Sequence, residues 1–147
     1  MIRSRFGGPW FLAITVRGFL PAAAQKPGKP EVREVPSHVS CSFGTFESTW
    51  LYKPHCDCGY LPGLLQVADM PGLAGLIAPR RLIVVAGKHD YLARFDGVEQ
   101  GVEIARRCFS AAGHAERIIL LAADGGHQVY PELAWPVIQK TLADLGD

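Results

Sequence analysis

Two residues stand where chemistry is easily done. Asp90 closes Gly87-Lys88-His89-Asp90, behind the apolar run Leu82-Ile83-Val84-Val85-Ala86, and His127 closes Gly125-Gly126-His127, behind a second run, Ile118-Ile119-Leu120-Leu121-Ala122. An imidazole works as a general base toward a hydroxyl and then as a general acid toward a leaving group. A carboxylate beside it fixes its tautomer and stabilises the imidazolium. Gly125 and Gly126 permit a sharp turn that presents His127 instead of packing it. The bland alternative is a solvated aspartate in a polar loop and an incidental histidine after a glycine turn.

The elements that must position this pair are legible from periodicity. Short apolar runs alternate with amphipathic helical stretches, the pattern of βα units and a parallel sheet. The reading gives an α/β chain with a short parallel sheet of about three strands flanked by helices. The first strand, 37–42, leads into a loop-rich region through Pro54, Cys56, Cys58, Pro62 and Gly63, followed by a short helix over 64–68. Leu73, Leu76 and Ile77 form an apolar turn ended by Pro79, and the second strand, 82–86, reads as buried on both faces. Asp96 as N-cap, with Glu99 three residues on, predicts a capping box. The helix it opens runs to Ala112, with Val98, Val102, Ala105, Phe109 and Ala112 on one face and Gly113 as the terminating residue. The third strand, 118–122, precedes a last helix that opens at Pro131 and repeats apolar positions at Ala134, Val137/Ile138, Thr141/Leu142 and Leu145. In such sheets, functional loops collect beyond the carboxyl ends of the strands, and right-handed crossovers place successive strands close together. Asp90 and His127 are therefore expected to meet on one rim.

Composition narrows the partners. The chain has 147 residues, 48% hydrophobic and 20% charged, with a formal net charge of +1. Its basic residues are scattered, which argues against nucleic acid or an anionic membrane as partner. No stretch approaches the roughly 20 apolar residues of a membrane span, so a soluble chain is expected. Residues 1–35 read as a leader or linker. Arg3, Arg5, the run Phe11–Val16 and Ala22–Ala24 imitate a secretory signal, but Arg17 and the Gly7-Gly8-Pro9 breaker make it an imperfect one. Globular patterning spans 36–147.

Other residues invite chemistry less strongly. His55-Cys56-Asp57-Cys58 suggests zinc, yet a structural site usually wants four ligands and no second cysteine pair exists, so a packed loop and no metal are expected. Cys108 reads as a buried small hydrophobe, and Lys88 and His89 as solvated loop residues. Trp50, Tyr52, Tyr60, Tyr130 and Trp135 are aromatics for core or cleft wall. No cofactor is implied.

From about Val39 onward the chain resembles the C-terminal half of an α/β-hydrolase, of the bacterial esterase group related to acetyl xylan esterases and dienelactone hydrolases. The resemblance is carried by Ser42–Phe46, His55–Leu65, Asp69-Met70, Gly75–Arg80, Gly87–Asp90, Gly126-His127 and Glu132–Pro136. It implies a partial α/β-hydrolase fold over 36–147, carboxylic ester hydrolysis on a small-molecule ester, and Asp90 and His127 as acid and base of a Ser-His-Asp catalytic triad. That family places its nucleophile on a Gly-x-Ser-x-Gly elbow, and no such motif occurs in this sequence. The nearest imitation, Ser40-Cys41-Ser42-Phe43-Gly44, lacks the leading glycine, so Ser42 reads as structural. The expectation is a truncated domain that has little activity alone. Its first strand would leave a sheet edge open to a second copy or to a separate N-terminal half. A non-catalytic binding or assembly module is the alternative.

Overall fold

A computed structural model of the chain describes residues 35–54 and 59–144. The leader expected over 1–35 lies, apart from Val35, outside the described residues, as do His55–Cys58 and Leu145.

The described fold is a three-stranded parallel sheet in sequential order, β1 (Ser37–Ser40), β2 (Leu82–Gly87) and β3 (Ile118–Ala123). Helix α1 (Met70–Gly75) precedes β2, α2 (Phe95–Ala111) connects β2 to β3, and α3 (Pro131–Asp144) follows β3. β2 is central and buried along its whole length, as a continuous β-branched run requires. Its alternating side chains feed two cores. Leu82, Val84 and Ala86 pack with Val98, Val102, Ala105 and Phe109 of α2 and Ala74 of α1, while Ile83 and Val85 pack with Tyr130 and Ala134 on the α3 side. Burying each such aliphatic side chain contributes about 1.5–3 kcal/mol, which makes β2 the anchor of both layers.

Several local expectations change. β1 ends two residues early because Cys41 takes a left-handed backbone, φ 49°, which breaks the extended strand. The helix expected over 64–68 is a 3-10 turn, Leu64–Gln66. The helix itself starts later, where Asp69 caps α1 by accepting the N–H of Met70 at 2.7 Å and also that of Phe46 at 2.9 Å. The capping box at Asp96 does not form: Arg94 occupies the N-cap position, and Asp96 lies in the first turn, where it accepts from Gly97 and pairs with the Arg94 guanidinium. The far end of α2 follows expectation, since Gly113, at φ 82°, donates to Ser110 and His114 donates to Phe109, both at 2.9 Å. Ala112 and Cys108 are exposed, against expectation. Cys108 stands one position off the inward stripe, against Gly75 of α1, and not among the sheet-facing residues. Among the described residues no helix is long and apolar enough to cross a membrane.

Candidate active site

Two loops at the carboxyl end of the sheet are laced together by backbone. Lys88 N–H donates to Ala123 and His89 N–H to Gly125, each at 2.9 Å. The approach is close enough that a Cβ at Gly87 would collide with the carbonyl oxygens of Gly125 and Gly126. Glycine is thus required at position 87 to let the His127 loop cross the end of β2. Tyr130, buried at the start of α3, donates its hydroxyl to Gly126 at 2.6 Å and holds the far side of the same turn. Burial raises the Tyr130 hydroxyl above the ordinary phenol range, so it stays the donor here.

The lacing brings Asp90 and His127 together. Asp90 Oδ2 lies 2.9 Å from His127 Nδ1, and Oδ1 lies 3.2 Å from the same nitrogen. The carboxylate is held from behind: Oδ1 accepts the N–H of Leu92 at 2.8 Å and of Ala93 at 3.2 Å. The side chain of Asp90 is 2% exposed and that of His127 is 37% exposed. A buried, doubly anchored acceptor therefore orients a half-exposed ring. Nδ1 as donor to the carboxylate leaves Nε2, on the opposite edge, free to accept a proton. Tyr91 packs edge-on against the ring, with centroids 6.1 Å apart.

His127 borders a cleft of about 190 Å³ with Ser40, Cys41, Ser42, Thr49, Trp50, Leu92 and Ala93. Trp50 is thus the aromatic on the cleft wall. Tyr52, Tyr60 and Trp135 are exposed instead. Lys88 is solvated, and His89 pairs with Asp124 at 3.0 Å on the surface. Ser42 reaches the cleft as an exposed residue.

Cys41 is the residue that spacing did not reveal. Its thiol is buried and donates to the carbonyl of Gln128 at 3.1 Å, beside His127. The only hint in the sequence is its place at the carboxyl end of β1. The turn that aims it depends on a left-handed backbone that a cysteine does not advertise.

No family model matches the chain, and no curated protein matches it in sequence. Among solved structures it is similar to a carbohydrate esterase family 15 glucuronoyl esterase from Caldicellulosiruptor kristjansonii, with a TM-score of 0.54 at 18% identity over 71% of this chain. The chain spans 35% of that esterase's length. A second similarity, to Zea mays acyl-protein thioesterase 2, has a TM-score of 0.37 at 18% identity, covering 56% of this chain and 33% of the other. The first likeness is one of fold, an open parallel α/β sheet flanked by helices.

Proposed function

We propose that this chain supplies the acid and base of a carboxylic-ester-hydrolysing site of the Ser-His-Asp type, with the seryl nucleophile and oxyanion hole delivered by a segment other than this one. The observation that carries the reading is the 2.9 Å contact between His127 Nδ1 and a nearly inaccessible Asp90 carboxylate. In the reaction, His127 Nε2 takes the proton of the attacking hydroxyl and returns it to the departing alcohol. Asp90 stabilises the imidazolium between those steps. Water then repeats the cycle on the acyl intermediate. A cleft of about 190 Å³ suits a short acyl group on a small-molecule ester, in keeping with the acetyl-ester resemblance of the sequence.

The completing segment has a natural place to join. Ser37 donates its N–H to Arg81, immediately before β2, and Cys41 donates to Val85 within it, so the alternation of a parallel ladder turns the N–H groups of His38 and Ser40 outward. Among the described residues, β1 has a strand neighbour on one side only. An added strand along this edge, from a nucleophile-bearing segment or a second copy, would continue the sheet.

The test is hydrolysis of p-nitrophenyl acetate by this chain alone and by this chain joined to a Gly-x-Ser-x-Gly segment encoded beside it. The isolated chain is expected to match its own His127→Ala variant. The completed protein is expected to lose at least about 10⁴-fold in rate on the same substitution, because triad members act as a unit. A completed protein indifferent to His127→Ala would refute the reading, and an isolated chain whose activity vanishes with His127 would refute the external nucleophile.

A further inference from the structure

The cysteine turned in at the end of β1 adds a third chemical type to the pair. Cys41 Sγ, a carboxylate oxygen of Asp90 and a ring nitrogen of His127 all lie within 4.8 Å of one another. They come from three separate strand ends, and Cys41 and Asp90 are buried while the ring is open to the cleft. We propose that Cys41, Asp90 and His127 form a binding site for a thiophilic divalent cation, with Zn²⁺ as its natural fit.

The donor set is the argument. Thiolate sulfur, imidazole nitrogen and carboxylate oxygen are the three protein ligand types that Zn²⁺ takes, and three protein ligands with one open position describe a zinc ion accessible to a small molecule. Tetrahedral Zn²⁺ at ordinary bond lengths holds such atoms about 3.3–3.6 Å apart. The aspartate–imidazole distance of 2.9 Å is about 0.4 Å shorter than that span and the three donors lie within 4.8 Å of one another, so closure parts the carboxylate and the ring slightly and draws the thiol in by about 1 Å. His127 and Cys41 both line the cleft, which gives a small molecule a route to the fourth position. The surroundings hold the donors in place: Leu92 and Ala93 N–H groups anchor Asp90 Oδ1 and leave Oδ2 turned toward the ring.

Cys41 reaches this position at a backbone cost. A left-handed φ is uncommon for a residue with a side chain and marks positions where surrounding structure or function dictates the conformation. On binding, the thiol gives its proton to solvent and its sulfur pair to the metal, exchanging its hydrogen bond to Gln128 for coordination, while the neutral ring takes the tautomer protonated at Nε2 and offers the Nδ1 lone pair. The ion then occupies the two groups that the acyl-transfer reading uses, so metal binding and proton transfer by His127 exclude each other. The site stands independently of that reading, because its occupancy is read without any ester.

The experiment is calorimetric titration of the full chain with Zn²⁺, alongside Co²⁺ absorption as a report of sulfur coordination and tetrahedral geometry. Both use a Cys56→Ser, Cys58→Ser, Cys108→Ser background that removes the other thiols. One Zn²⁺ per chain is expected, with a Co²⁺–thiolate charge-transfer band. Cys41→Gly, which relieves the left-handed backbone and so keeps the fold by circular dichroism, is expected to weaken binding at least about 100-fold and abolish the band. His127→Ala, at a half-exposed ring, provides the second folded variant and should weaken binding comparably. The site is refuted if the background chain fails to bind Zn²⁺ at millimolar concentration, or if either variant binds as the background does.

Discussion

Truncating Asp90 to alanine should unfold the chain more readily than replacing it with asparagine, and the difference can be worked out from its partners. The carboxylate accepts from Leu92 N–H at 2.8 Å, Ala93 N–H at 3.2 Å and His127 Nδ1 at 2.9 Å, with a side chain 2% exposed. Hydrogen bonds to a charged group contribute about 1.5–3 kcal/mol each, and a buried donor left unsatisfied costs about 1–3 kcal/mol. Ala93 is buried, so its N–H gains no water when the carboxylate goes, whereas Leu92 is half-buried and regains some. Asp90→Ala should therefore cost about 2–5 kcal/mol, since the three bonds share one acceptor and do not add. Asp90→Asn keeps an oxygen facing Leu92 and Ala93 and should cost about 1 kcal/mol. Urea unfolding followed by far-ultraviolet circular dichroism measures both, with an unchanged denaturant slope as the check on two-state behaviour. Alanine and asparagine variants that unfold at the same urea concentration would show that the Leu92 and Ala93 amides do not depend on an acceptor at position 90.

Other outcomes follow from the same geometry. Gly87→Ala should cost about 1–3 kcal/mol by forcing a methyl group into the Gly125 and Gly126 carbonyls, and should strip hydrogen-exchange protection from the His89 amide that bonds Gly125. Unchanged protection would show that the loops do not cross as described. His38→Pro removes an N–H from the outward edge of β1 without touching its bonds to β2, so any concentration-dependent association seen by light scattering should weaken while the fold is kept. Equal association of both forms would place the contact elsewhere. Because burial raises the Tyr130 hydroxyl, its stabilising contribution is full below the unfolded phenol value, near pH 10, and declines as pH rises through the higher folded value. Tyr130→Phe should accordingly flatten the alkaline loss of stability in pH-dependent unfolding, and an unaltered slope would count against that burial effect.

The sequence made the sheet and the pair legible for a physical reason. A strand buried on both faces must be continuously apolar, so Leu82–Gly87 announces itself, and glycines beyond strand ends mark loops that carry side chains to the rim. The same logic puts Asp90 and His127 on one rim, where they meet at 2.9 Å, while their roles as acid and base come from the resemblance. Side-chain competition and long-range packing were less readable. Asp96 and Glu99 have capping-box spacing, but Arg94 draws the Asp96 carboxylate into an ion pair and takes the cap position itself. Cys108 differs from the buried Phe109 by one step around the helix, enough to move it to the surface. Cys41 depended on a backbone reversal that shortens β1 and turns a thiol toward a residue of a distant loop, which local periodicity does not encode.

The tautomer of His127 tests the proposed acid–base pair most directly. Nitrogen-15 spectra of the imidazole should show, in the neutral ring, a protonated Nδ1 facing Asp90 and an unprotonated Nε2 facing the cleft, with the two exchanging roles in Asp90→Asn. A neutral ring protonated at Nε2, or one indifferent to the Asp90 substitution, would contradict the assignment of His127 as a base oriented by Asp90.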